Sequence, residues 1–409
     1  MSAPEPVGAD ELEAFDNAAR RAFHDESHPE DVALDVLLTE PERTLVIRDG
    51  GEIVATTLAL TRRLTVPGGA AVPVAAVSAV GVSPGHTRRG HLSSLMRRQL
   101  DDVRAIGREP IAALWASEGA IYARYGFGLA SRAVTYELEL STARLRADAP
   151  RPSERPRLLG AAEAVPAMTE VYEAVRAEHP GLLDRTELWW RRRVHDPEHR
   201  RDSAGRLLAA VQPGPGGEPA GYALYAAKSG WGDRGPAGEI RLRELVARTP
   251  EARTGLWDYL LELDLMRSLR WRLAPDHDPL PHLLASTDPL LQRVGHGLWV
   301  RLVDVDRALA ARTYSAPVSL VLEVEDAFCP WNTGRHRLGF DGGAASCERT
   351  GEPADLALTA EALGAAYLGG TRLESLAGAG RVRELTPGAL HAAALAFRGS
   401  AEPWCPEIF

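Results

Sequence analysis

Cysteine, lysine and long apolar runs are what this 409-residue chain has least of. Its three cysteines, Cys329, Cys347 and Cys405, are too few and too scattered for a disulfide framework or a zinc motif. They fit a reducing, cytoplasmic compartment. Lys228 is the only lysine among 47 basic residues. No apolar stretch approaches the roughly 20 residues that span a bilayer, and no basic segment followed by an apolar core marks a secretory signal. The histidines form no ligand pattern carried on a helix together with a Glu, so no metal is expected. A formal net charge of −9 argues against nucleic-acid binding, which needs clustered cation, and is compatible with a cationic substrate.

What is present describes an ordinary globular chain, 45% hydrophobic and 25% charged, long enough for two or three domains. The segment "ADELEAFDNAARRAFHDE" has Leu12, Phe15, Ala19 and Phe23 at helical spacing. "RTLVIRDGG" and "EIVATTLALTRRLTV" read as a hairpin turning at Asp49-Gly50-Gly51, and "AAVPVAAVSAVGVSP" as a third strand. Arg89 to Ile106 reads as a helix, "PIAALWAS" as a strand, "GAIYARYG" as a short helix, and the paired strands "GLASRAVTYELEL" as the end of this unit. After the linker "TARLRADAPRPSERPR" the pattern recurs. "AVGVSPGHTRRGHLSSLM" and "ELVARTPEARTGLWDYLL" each run from an apolar strand end through Pro, Arg and Gly to a Leu opening a helix. The second lacks the paired arginines and reads as a degenerate repeat. From about Asp304 a different α+β pattern follows. The expected division is 1–148, 149–298 and 299–409. In "WWRRRVHDPEHRR" the tryptophans read as packing inward from a helix, not as an RNA-binding patch.

The joint "SPGHTRRGHL" asks for an anion. The first N–H groups of a helix lack intrahelical partners and the dipole makes that end positive. A phosphate answers both. Gly90 clears the backbone for close approach, and Arg88 and Arg89 add charge. Neither Gly-x-x-x-x-Gly-Lys-Ser/Thr nor Gly-x-Gly-x-x-Gly is present, so the turn suits a pyrophosphate held without a magnesium clamp.

Here the sequence resembles the GNAT family of acyl-CoA-dependent N-acetyltransferases. Their Gln/Arg-x-x-Gly-x-Gly/Ala turn holds the coenzyme A pyrophosphate, and this chain reads Thr87-Arg88-Arg89-Gly90-His91-Leu92. The central Gly90 matches; Thr87 and Leu92 depart from the pattern, and Leu92 either crowds the phosphate or faces the core. "ASEGAIYARYGFG", spanning Ser117, resembles the GNAT segment whose tyrosine, here Tyr122, protonates the departing thiolate. Tyr125 is its rival. Two GNAT-like units, the second degenerate, a sterol-carrier-like part around "LEVEDAFCPWNTGRHRL" and a terminal Phe together resemble the Eis (enhanced intracellular survival) family.

That resemblance implies an α/β (α+β) fold of two tandem GNAT-like domains and a sterol-carrier-protein-like domain, with acetyl-CoA as donor. It also implies polyamine-like acceptors, aminoglycosides among them, and a homo-oligomer, commonly a hexamer. Backbone N–H groups near Val80 and Val82 suit the acetyl carbonyl and the pantetheine amides, Tyr122 is the expected general acid, and the α-carboxylate of Phe409 the expected base. Asp25, Glu26 and Glu407 are candidate acidic walls for the acceptor, with Phe23 and Trp404 as candidate lining. Two alternatives stay open: a GNAT acting on protein amines or with longer acyl chains, and a non-catalytic lipid or small-molecule binder.

Overall fold

The computed structural model describes residues 3–233, 235–399 and 401–409. Its first stretch runs α1 (Leu12–Phe23), α2 (Pro29–Leu38), β1 (Thr44–Asp49), β2 (Glu52–Thr65), β3 (Ala71–Val82), α3 (His91–Ile106), β4 (Ile111–Trp115), α4 (Gly119–Tyr122) and β5 (Gly128–Leu129). Next come β6 (Arg132–Glu139), β7 (Arg157–Gly160), α5 (Val165–Arg176), α6 (Glu187–Arg193), β8 (Leu208–Pro213) and β9 (Pro219–Lys228). They are followed by β10 (Trp231–Gly232), β11 (Gly235–Pro236), β12 (Gly238–Ala247), α7 (Pro250–Leu261), β13 (Met266–Ala274), α8 (Leu280–Leu283) and β14 (Leu290–His296). The last stretch holds β15 (Leu298–Leu302), α9 (Val305–Ala310), β16 (Val318–Glu325), β17 (Gly334–Phe340), β18 (Ser346–Arg349) and β19 (Leu356–Thr359). It ends with α10 (Ala360–Ala366), α11 (Leu373–Gly378), β20 (Val382–Glu384) and α12 (Ala389–Phe397).

Two compact units result. One contains the described residues of Met1–Ser131, His296–Pro403 and Glu407–Phe409; the other contains Arg132–Gly295 and Trp404–Pro406. The first unit carries a six-stranded sheet, β1-β2-β3-β4-β15-β5, and a five-stranded sheet, β18-β17-β16-β19-β20. The second carries the seven-stranded β14-β6-β13-β12-β9-β8-β7.

One sequence expectation changes here. β6 does not close the first sheet; it pairs antiparallel with β13 in the second unit. The place beside β4 is taken by β15, from residues far downstream, in register Leu298↔Trp115 to Leu302↔Ile111. All five residues of β15 are buried, as suits an inner strand between β4 and the short edge strand β5. Its Arg301 is sealed in, donating to the Tyr125 carbonyl at 2.5 Å and to Asp326 at 2.5 Å. Asp326 also accepts from the Cys329 N–H and from Asn332. Removing either partner of such a sealed pair costs about 3–5 kcal/mol, because the other charge is left unanswered.

The glycine-rich "YGFG" stretch has a packing reason as well. A Cβ on Gly128 would lie 2.1 Å from the Glu361 carbonyl oxygen and 2.2 Å from the Ala365 nitrogen, so the backbone of α10 rests directly on β5. Any larger residue there forces α10 away.

The second unit is built on Trp257, Trp271, Tyr136, Tyr172 and Tyr222, all fully buried. Trp190 of α6 joins this core, while Trp189 is only half-buried. Of the arginines after it, Arg193 donates to the buried Glu244, which Arg185 also grips at 2.7 Å, while Arg191 is exposed. The Arg185 guanidinium lies 3.7 Å from the Tyr172 ring centroid. Arg185 and Arg193 are therefore structural.

Candidate active site

β3 and β4 run parallel but pair over three residues only, Val74↔Ile111 to Ala76↔Ala113. Beyond that point β3 continues to Val82 and β4 to Trp115, and the two part. The cause is a bulge. Ala79 takes φ +50°, and between the pairs Thr56↔Gly81 and Leu58↔Ser78 two residues of β3 face one of β2. The Thr56 hydroxyl donates to the Ala79 carbonyl at 2.7 Å and holds the kink, which costs an alanine on the order of 1 kcal/mol.

The bulge also decides which way the main chain points. Ser83 N–H donates to the Val54 carbonyl on β2, and the Ala79 carbonyl likewise faces β2. Strand alternation then turns the N–H groups of Val80 and Val82 away from β2, toward the opening beside β4. Both side chains are half-buried.

α3 begins at this opening. Its apolar face, with Leu95, Met96 and Leu100 fully buried and Val103 2% exposed, packs under the sheet, and Gly107 at φ +70° ends it. At its start Gly90 takes φ +82° with nothing within 4 Å of where a Cβ would stand, and no side chain caps the helix. Arg88 is also left-handed, at φ +62°. Thr87, Arg88, Arg89 and Gly90 are exposed, so the turn presents bare N–H groups and two guanidiniums to one approaching anion.

His91 is 8% exposed, and among the described residues neither its Nδ1 nor the sealed Nδ1 of His86 has a partner. Burial first, then the charges of His86 and Arg89, hold the His91 pKa below the usual imidazole value. Asp49 stands beside them, 3.1 Å from His86 Nε2 and 4.0 Å from Arg89. His86 and Asp49 were not picked out from the sequence, which carries no motif signal for either. Leu92 faces inward against the core cluster, so it does not obstruct the turn.

Tyr122 ends α4 and packs in the same cluster as Val77 and Val80 of β3, Leu114 of β4 and Leu92. Burial, with Tyr125 and Glu118 as lesser causes, pushes its phenol up to about 12. No hydrogen bond engages its hydroxyl among the described residues. The Tyr125 hydroxyl, by contrast, is tied to Ser93 Oγ on the first turn of α3 at 3.0 Å. Ser117 is exposed just before α4.

The remaining candidates fall in several places. Phe23 (50% exposed), Asp25 and Glu26 lie at the end of α1 and in the loop after it. Asp25 is one of three carboxylates, with Asp16 and Asp35, that bind Arg20. Glu407 is buried and its charge is answered by Arg62 of β2 at 3.2 Å, so it is not a free acidic wall. Phe409 is half-buried and Ile408 is 63% exposed. Trp404, expected as pocket lining, belongs instead to the core of the second unit: its indole donates to the Leu273 carbonyl and its ring meets Trp271 edge-on.

The second copy of the strand-to-helix joint is closed. α7 starts at Pro250 with Thr249 as its cap, the Thr249 hydroxyl accepting from the Ala252 N–H at 3.2 Å. Gly255, matched to Gly90 by sequence, lies inside α7. The residue that takes the place of Gly90 is therefore Thr249, which supplies from within the chain what an anion supplies at α3.

Three family models match segments of the chain. Residues 4–130 and 181–302 match acetyltransferase (GNAT) domain families, and residues 305–406 match a sterol carrier protein domain. An uncharacterized N-acetyltransferase of Streptomyces avermitilis is 45% identical over 91% of this chain and 90% of its own length. The N-acetyltransferase Eis of Mycobacterium tuberculosis is 35% identical over 89% of both chains. The crystal structure of Eis1 from Mycobacterium abscessus superposes over 100% of both chains with TM-score 0.86 at 33% identity. The chain thus belongs to the Eis-type GNAT N-acetyltransferases, which use acetyl-CoA to acetylate amines.

Proposed function

We propose that the chain transfers the acetyl group of acetyl-CoA to primary amines of polycationic acceptors, aminoglycosides and polyamines among them, with Tyr122 as general acid and the Phe409 α-carboxylate as general base. The observation that carries this reading is the union of three features: parted strands, an uncapped helix N-terminus, and a buried tyrosine with a disengaged hydroxyl.

The residues present fit coenzyme A. The first N–H groups of α3, with Arg88 and Arg89, suit its pyrophosphate, and Val80 and Val82 suit amides and a carbonyl lying along the strand edge. Acetyl-CoA supplies an activated acyl group and a thiolate that needs a proton. Tyr122, with its phenol raised to about 12, stays protonated throughout the neutral range and has that proton to give. The Phe409 carboxylate accepts one from the attacking amine. Glu407, two residues before Phe409, docks on Arg62 of β2, which supports a tail held against the first unit.

Acidic density supports a cationic acceptor. A groove of about 570 Å³ between α1 and α2 is lined by Asp10, Glu13, Asn17 and Ser27 over an apolar floor of Leu12, Val32 and Val36. Its carboxylates favour ammonium groups and its floor the carbon frame between them.

The test is thiol release from acetyl-CoA with matched acceptors: a linear polyamine, an aminoglycoside, a lysine peptide and a simple monoamine. The two polycations are expected to turn over with the highest kcat/KM. Preference for the peptide or the monoamine would overturn the acceptor class.

A further inference from the structure

Far from Tyr122 in sequence, three ligand-type side chains converge in the sterol-carrier-like part. Asp306 comes from the first turn of α9, His336 from β17 and Cys347 from β18. Their donor atoms all lie within 4.8 Å of one another. The strand register explains the meeting: Leu338 pairs with Cys347 and His336 with Arg349, so His336 and Cys347 are diagonal neighbours on one face. The spacings of 30 and 11 residues match no ligand motif, which is why the sequence alone gives no sign of the trio.

The histidine is the informative member. It is 1% exposed, and its Nε2 lies 2.9 Å from the Asn332 carbonyl, which can only accept. Nε2 therefore carries a proton, the arrangement in which metal-ligating histidines are commonly fixed by a backbone carbonyl. Nδ1 is then aimed at Asp306 Oδ1, 2.6 Å away, another acceptor. Two lone pairs do not face each other at that distance unless something positive sits between them. A proton meets the need for that pair alone. The Cys347 thiol donates to the same carboxylate oxygen, with Sγ 3.6 Å away, so a nitrogen, a sulfur and a carboxylate oxygen converge with two displaceable protons between them.

We propose that Asp306, His336 and Cys347 form a binding site for a divalent cation of zinc type, with water completing a tetrahedral shell. One imidazole nitrogen, one thiolate and one carboxylate are a ligand set suited to Zn²⁺, and the two anionic ligands neutralise the ion. Cys347 and Asp306 are both partly exposed, which gives the ion a way in and room for its water. Asp304 and Glu348 nearby add negative potential, and the guanidinium of Arg349, whose charge also reaches Asp306, is engaged by the Thr333 and Trp331 carbonyls. Ligands on one zinc stand about 3.3 Å apart at bond lengths of roughly 2.0–2.1 Å, so the Asp306 carboxylate swings slightly outward on binding. The balance is simple. Three metal–ligand bonds form, the N–H shared with Asp306 and the Cys347 S–H break, and two protons leave per ion. The bound ion ties α9 to β17 and β18.

The experiment uses the full chain, stripped with chelator and titrated with Co²⁺ as a spectroscopic substitute. One equivalent should produce a thiolate-to-cobalt charge-transfer band that Zn²⁺ abolishes. Cys347→Ser should lose the band, while Cys329→Ser and Cys405→Ser keep it. In unsubstituted protein, Zn²⁺ should also slow reaction of the part-exposed Cys347 thiol with a disulfide reagent, a readout independent of any variant's folding. Absence of the band, its survival in Cys347→Ser, or an unchanged labelling rate would each overturn the site.

Discussion

Two tyrosines three residues apart compete for one catalytic role, and their hydrogen bonds separate them. Tyr125 is held by Ser93 on the first turn of α3, whereas the Tyr122 hydroxyl is disengaged among the described residues. Tyr122→Phe is expected to lower kcat by about 10²- to 10⁴-fold, the usual contribution of a positioned acid, and to leave the Kd for acetyl-CoA unchanged. Extending the chain beyond Phe409 should lower kcat alike; stopped-flow thiol release with calorimetric Kd values checks both. His91 makes a second residue-scale prediction. Its pKa is depressed in the free protein, and a bound anion favours the protonated ring, so the pKa is higher in the complex. Affinity for acetyl-CoA should thus strengthen as pH falls through the imidazole range and weaken again above it. Equal Kd values at pH 6 and pH 8 would contradict this. The strand-to-helix turn marked Gly90 and Arg88 as candidates, and the resemblance of "ASEGAIYARYGFG" to a GNAT segment marked Tyr122, because each sits in a local motif. Neither could place Glu407 or Trp404. Their partners, Arg62 and Trp271, are more than 130 residues away, and only the folded chain brings them together.

Elements rather than residues distinguish the two halves of the repeat. α3 and α7 are alike in following a strand that leads into a helix, but they differ in what satisfies the first turn. Thr249 and Glu251 supply the second copy with a cap and a negative charge. At α3 the corresponding groups are open. Thr249→Ala is therefore expected to lower stability by about 1 kcal/mol in denaturant melts with no effect on acetyl-CoA binding. Gly90→Ala, forced to a left-handed φ, should cost about 1–2 kcal/mol and weaken acetyl-CoA binding as well. Helices and strands of this kind were legible from periodicity, down to the stop at Gly107. The parting of β3 and β4 was not. It depends on an Ala79 bulge that looks like any other small residue in "AVSAVGV".

At the level of the whole chain, linear order and sheet membership differ. β6 follows the first sheet in sequence yet pairs in the second, and β15 returns to fill the first. β6 was readable from its alternation, but its partner was not, and β15, five residues buried without alternation, was not picked out at all; a local pattern does not name the neighbouring strand. The second copy was legible from a repeated motif, and the acetyltransferase and sterol-carrier-like parts from their resemblance to known families. The proposal that the first copy holds the coenzyme rests on the helix ends: one has no side-chain cap and the other is capped by its own threonine. The direct measurement is a calorimetric titration of acetyl-CoA into the intact chain. The account predicts one binding site per chain. Two sites per chain, or none, would contradict it.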